Sequence, residues 1–156
     1  MKKITLLLTL ILVALVGTNI PANALEVPRV EIEYLENGDY IETIITDFTT
    51  ENSVSTFATN TKTGAKTKNY KNSAGTILWS VTVKGTFSYN GSTAVCTSCS
   101  HSTTSPASAW TIKNSSHSKS GNTATAKATA TCSTSSGSID YTRSVSLQCS
   151  AYGVLS

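Results

Sequence analysis

Beyond Val54 the side chains able to act as thiolate nucleophile, metal ligand or acid are few: Cys96, Cys99, Cys132, Cys149, His101, His117 and a single carboxylate, Asp140. Cys96-Thr97-Ser98-Cys99 has the spacing of a redox dithiol or of half a zinc site. A zinc ribbon needs a second close pair, whereas Cys132 and Cys149 stand 17 residues apart and neither histidine falls at a finger-like distance from them. A thioredoxin-type site also wants its first cysteine at a helix N-terminus, where the dipole lowers the thiol pKa, and this stretch reads as a strand. Structural disulfides are the better reading, and neither a metal nor a cofactor is implied.

Hydrolytic chemistry has equally thin support. Serine and threonine are so abundant after Val54 that no one serine stands out as a nucleophile, and no GxSxG elbow occurs. A pair of carboxylates for glycoside hydrolysis would have to come from Glu33 and Glu42, which face each other if the segment around them is a tight hairpin. Solvated or cation-bridged acids account for such a pair at least as well, so no catalytic residue is assigned and the chain is expected not to be an enzyme.

The aromatic residues offer more. Tyr70, Trp79, Tyr89, Trp110, Tyr141 and Tyr152 are spread along the second half. Trp79 and Tyr89 share the parity of an apolar strand face, and core packing explains them. Trp110 and Tyr152 lie in or beside loops, where an aromatic plane could stack on a sugar ring, and these two are the candidate ligand-binding residues. Nucleic acid is not an expected partner, because the lysines are scattered singly among Ser and Thr and form no basic stripe.

Strands must position these groups. Val30–Glu36 and Asp39–Asp47 flank Asn37-Gly38, a dipeptide suited to a two-residue type I′ turn, which would set Tyr34 opposite Ile41 and Glu33 opposite Glu42. Residues 49–65 are polar and aperiodic and read as a linker, so the main domain is expected over 66–156. Within it, Ile77, Trp79, Val81, Val83, Gly85, Phe87 and Tyr89 alternate with mostly polar residues, the signature of a strand with one buried face. Asn90-Gly91 turns the chain back through Ser100, and Trp110 and Ile112 mark a short strand. After Gly121-Asn122, alternate residues Ala124, Ala126, Ala128 and Ala130 lead to Cys132, a face small enough for a bulky ring to approach closely. The last strand turns Ile139, Tyr141, Val145, Leu147 and Cys149 inward. Arg143 shares that parity, which predicts a bulge or a strand edge there. Spacing and turns argue for an all-β fold, an antiparallel β-sandwich of six or seven strands preceded by the acidic hairpin of residues 25–48, with a closed barrel as the alternative.

The N-terminus reads as a signal peptide: Lys2 and Lys3, an apolar run from Ile4 to Val16, and Ala22-Asn23-Ala24 before a cut after Ala24. That run is short of the ~20 residues a membrane-spanning helix needs, so residues 1–24 are expected to be removed and the protein released outside the cell. Four cysteines in an exported chain then favour two disulfides. Three connectivities are open; Cys96 with Cys149 and Cys99 with Cys132 is preferred, since cysteines three apart on a strand do not easily bridge each other. Charge is uneven: eight acids against Arg29 between Leu25 and Ser53, and nine bases against Asp140 beyond. The two parts either dock on each other or the basic part meets an anionic partner.

Three stretches, WSVTVKGTFSYNGS (Trp79–Ser92), SKSGNTATAKA (Ser118–Ala128) and the terminal SLQCSAYGVLS, resemble a group of small secreted all-β proteins of Gram-positive anaerobic bacteria. The resemblance covers most of the mature chain. It implies export and a compact β domain, transfers no catalytic or binding residue, and favours Cys96 with Cys149, with Cys99 and Cys132 particular to this chain. The function expected is that of a secreted, non-enzymatic protein binding a cell-wall or host glycan; the alternative is an antagonistic protein acting on the envelopes of other bacteria.

Overall fold

A computed structural model describes residues 28–48 and 59–156. The expected signal peptide, its cut after Ala24, and residues 49–58 of the expected linker lie outside the described residues. Eight strands follow in chain order: β1 (Arg29–Tyr34), β2 (Tyr40–Asp47), β3 (Asn60–Lys71), β4 (Ile77–Tyr89), β5 (Ala94–Thr104), β6 (Trp110–Ser120), β7 (Thr123–Thr134) and β8 (Gly137–Gln148). Every pairing is antiparallel. One sheet has the order β1-β2-β3-β4-β5 and the other β6-β7-β8. No helix occurs among the described residues.

The period-two pattern of β4 becomes the floor of the core: Trp79, Val81, Val83 and Phe87 are fully buried. Across from it stand the alanines of β7, likewise fully buried, with Val145 and Leu147 of β8 beside them. The small side chains let the sheets close in. At Gly85 the approach is so tight that a Cβ would lie 2.6 Å from the Phe87 ring and 3.1 Å from the Ala124 methyl.

The segment read as linker is in part a strand. Residues 60–65 form the first half of β3, which pairs with β2 on one side and β4 on the other and so carries the N-terminal hairpin into the five-stranded sheet. Its apolar pattern is weak because lysines and threonines occupy it, and the flanking strands supply the hydrogen bonds that hold it. The charge asymmetry is met within this sheet: Lys71 of β3 contacts Glu42 of β2 at 2.8 Å, and Lys62 contacts Asp47.

The hairpin register is one residue away from the expected one. Tyr34 pairs with Tyr40 and Glu33 with Ile41, and residues 35–39 form the connection, closed by Leu35 N–H to Asp39 C=O at 2.8 Å. A type I′ turn needs positive φ at both central residues, but only Gly38 has it (φ 85°). A one-residue shift sends each side chain of β1 to the other face. Val30, Ile32 and Tyr34 therefore lie away from buried Ile41 and Ile45, and β1 is exposed along its whole length.

Three bulges do further work. Between β3 and β4 the register passes from Tyr70↔Trp79 to Lys71↔Ile77, skipping Leu78. Between β4 and β5 the register passes from Thr86↔Ser98 to Phe87↔Cys96, skipping Thr97. Between β6 and β7 it passes from Ile112↔Ala130 to Asn114↔Thr129, skipping Lys113, whose ammonium reaches Asp140 at 2.6 Å.

Candidate ligand pocket

The strand ends farthest from the Asn90-Gly91 turn gather aromatic residues from four strands. Tyr70 closes β3, Trp79 opens β4, Trp110 opens β6, and Tyr141 lies in the first half of β8. Trp110 is placed by the loop before it: its N–H donates to Ala107 C=O at 2.9 Å, and its carbonyl accepts from Ser105 Oγ at 2.7 Å. The rings form a continuous row across both sheets. Tyr70 stacks on Trp79 at 4.3 Å and 6°, Trp79 on Trp110 at 6.4 Å, and Trp110 meets Tyr141 at 5.1 Å and 46°.

These four residues line a pocket of about 70 Å³ together with Leu35, Asn37, Asp39, Tyr40, Lys71, Leu78 and Arg143. Two features set it apart from ordinary core. Trp79 is fully buried and Tyr70 is 6% exposed, yet neither the indole N–H nor the phenol has a hydrogen-bond partner. A buried polar group left unpaired costs about 1–3 kcal/mol. Arg143 is the second feature. No bulge turns it out of β8; it pairs with Ala128 in regular register, keeps the inward parity, and holds its guanidinium 5.7 Å from the Tyr70 ring centre. Of the bulge or strand edge expected at this position the structure has the second, β8 being an edge strand of its sheet, and the small Ala128 opposite accommodates the long side chain.

Electrostatics keep the Tyr70 phenol in one protonation state. Burial pushes the Tyr70 phenol up to about 12, with the Arg143 cation offsetting part of the rise, so the hydroxyl keeps its proton at any physiological pH. Lys71 is committed to Glu42, which also accepts from Asn69 Nδ2 at 2.9 Å. Asp39 accepts from Asn37 Nδ2 at 2.7 Å. Among the described residues Arg143 forms no ion pair; its Nη1 donates to the carbonyl of Thr142 at 2.9 Å.

Of the two aromatic residues singled out from sequence, Trp110 lies in this pocket and Tyr152 does not. Tyr152 is 79% exposed in the C-terminal turn, where Gly91 N–H donates to Ala151 C=O. That is the opposite end of β4, ten residues or roughly 33 Å from Trp79. Sequence reasoning placed Trp79 in the core only and assigned no binding role to Tyr70, Tyr141 or Arg143. The one local signal was Arg143, a charged residue on a buried parity.

The titratable residues separate into unrelated contacts. His101 and His117 meet across the seam between β5 and β6, Nδ1 to Nδ1 at 2.7 Å, with Ser115 Oγ 3.0 Å from His101 Nε2. Asp140 bonds Lys113 and Thr131, five positions along β7 from the partner of His117, or roughly 16 Å. No Ser-His-Asp arrangement is assembled from these three. The register shift also parts Glu33 from Glu42, and among the described residues no three or more His, Cys, Asp or Glu side chains are grouped to hold a metal ion.

All four cysteines are free thiols in the structure. The bulge at Thr97 turns Cys96 and Cys99 to the same side, where an unbroken strand would set them on opposite faces. Cys99 Sγ contacts Ser118 C=O, whereas Cys132 pairs with Trp110 and Ile139 at the other end of β7. Some seven positions of β7, roughly 23 Å, divide them, far beyond the ~7 Å between Cα atoms that a bridge can span, so Cys99 with Cys132 cannot close. Cys96 and Cys149 are both buried and flank one turn: Cys96 N–H donates to Gly121 C=O and Cys149 N–H to Asn122 C=O.

Compared with known protein families, with curated proteins and with solved structures, the chain matches none of them.

Proposed function

We propose that this is a secreted, non-enzymatic glycan-binding protein of a Gram-positive bacterium, and that the aromatic pocket is its binding site. The observation that carries the reading is the row Tyr70–Trp79–Trp110–Tyr141 lining a pocket beside two buried, unpaired polar groups. Sugar rings present apolar C–H faces that stack on aromatic planes and hydroxyls that pair with donors in the same site. The non-enzymatic part of the reading is supported by the pocket lining, where the one carboxylate, Asp39, is engaged by Asn37. Export is part of the proposal and rests on residues 1–24; the fold proposed is the sandwich, with the hairpin strands extending one sheet.

The test is co-sedimentation of the mature protein, residues 25–156, with cell-wall sacculi and insoluble polysaccharides at low and moderate salt. Binding that survives moderate salt and falls at least tenfold in Trp110→Ala, with an unchanged unfolding midpoint, supports the reading. Equal binding by wild type and Trp110→Ala, or no binding to any polysaccharide, overturns it.

A further inference from the structure

The pocket's own chemistry narrows the ligand, and this step rests on the glycan-binding reading above. Trp79 Nε1 and the Tyr70 hydroxyl are sealed in the wall behind the aromatic row, so the donor the pocket presents is the Arg143 guanidinium, which lies over Tyr70 with no carboxylate partner among the described residues. The charged lining residues besides Arg143 are engaged elsewhere: Asp39 is held by Asn37 in the β1–β2 connection, and the Lys71 charge goes to Glu42. A guanidinium without a carboxylate partner calls for a ligand group made of acceptors.

Size points the same way. About 70 Å³ is room for a carboxylate. Trp110 and Tyr141, both half-buried, are left as the surfaces for the ring itself. We propose that the pocket takes the carboxylate of a hexuronic acid residue, which pairs with Arg143 while the ring that bears it rests on Trp110 and Tyr141. Planar guanidinium–carboxylate pairing is also the strongest form such recognition takes.

The experiment compares two probes that differ only in this group: oligogalacturonate and the same oligomer as its methyl ester, titrated into the mature protein with tryptophan fluorescence as readout. The acid is expected to bind at least tenfold more tightly than the ester, with the advantage narrowing as salt rises. In Arg143→Gln that advantage should fall to within twofold while the ester's affinity holds, and Arg143→Lys should recover part of it. Equal affinity for acid and ester in the wild type overturns the carboxylate assignment, and so does an Arg143→Gln variant that weakens both probes alike while keeping the wild-type unfolding midpoint. Failure of acid, ester and a neutral oligosaccharide alike to bind removes the underlying glycan reading as well, which separates the two.

Discussion

At the residue scale, the positions that matter most break a local rule. Arg143 is a cation in a row of apolar residues, and Gly85 is a glycine in the middle of the most regular strand. Each is explained by what faces it: the pocket and Tyr70 for Arg143, Phe87 and Ala124 for Gly85. Gly85→Ala places a methyl where there is no room, since the nearest atoms belong to a buried ring that is itself enclosed. Overpacking of this kind costs about 1–3 kcal/mol. The expected outcome is a urea midpoint lowered accordingly at unchanged m-value. Both residues were conspicuous in the sequence, but their meaning was not, because a parity pattern tells which face a side chain takes and not what stands across from it.

At the scale of elements, β3 decides how the acidic hairpin is held. Its lysines sit beside the acids of β2, and Glu42 shows the consequence. Burial alone would raise its pKa, but the bonds from Lys71 and Asn69 outweigh that and hold it below its ordinary 4.5. A carboxyl whose folded pKa is depressed adds stability that is in full above the unfolded value and is lost as pH falls through the folded one. Unfolding free energy should therefore decline below about pH 4.5, and Glu42→Gln should flatten that part of the profile while lowering stability at neutral pH, as read by urea titrations from pH 7 to pH 3. A variant profile parallel to wild type would exclude Glu42 as a source of the slope. The bulges act at this scale too: skipping one residue at Thr97 or Lys113 reverses the face taken by the rest of the strand, and nothing in the local composition announces either.

At the scale of the whole molecule, the two sheets meet through side chains and a few loop contacts, and Cys96 and Cys149 bracket one of these at the Gly121–Asn122 turn. Burial pushes both thiols up, which lowers their thiolate fraction in the folded protein, so a bridge between them is expected to form while the chain folds. Protein folded with a glutathione redox couple is expected to lose two hydrogens as one bridge, with Cys99 and Cys132 still titrating as thiols; a second bridge, or none, would contradict this. Closing so long a loop is worth about 4 kcal/mol in chain entropy, so Cys96→Ser with Cys149→Ser should lower the thermal midpoint of the oxidised protein and leave that of the reduced protein far less affected.

The sequence by itself determined the all-β class, the buried faces of β4 and β7, and the turns at Asn90-Gly91 and Gly121-Asn122, because period-two burial and turn chemistry are local properties. It also pointed to Trp110. Tertiary structure alone decided the hairpin register, the three bulges, the strand hidden in residues 60–65, the gathering of Tyr70, Trp79, Trp110 and Tyr141 beside Arg143, and the exclusion of Tyr152. Each depends on which strand ends share one end of the paired sheets. That is set by long-range pairing and by the fit of large side chains against small ones, and no window along the chain contains both partners.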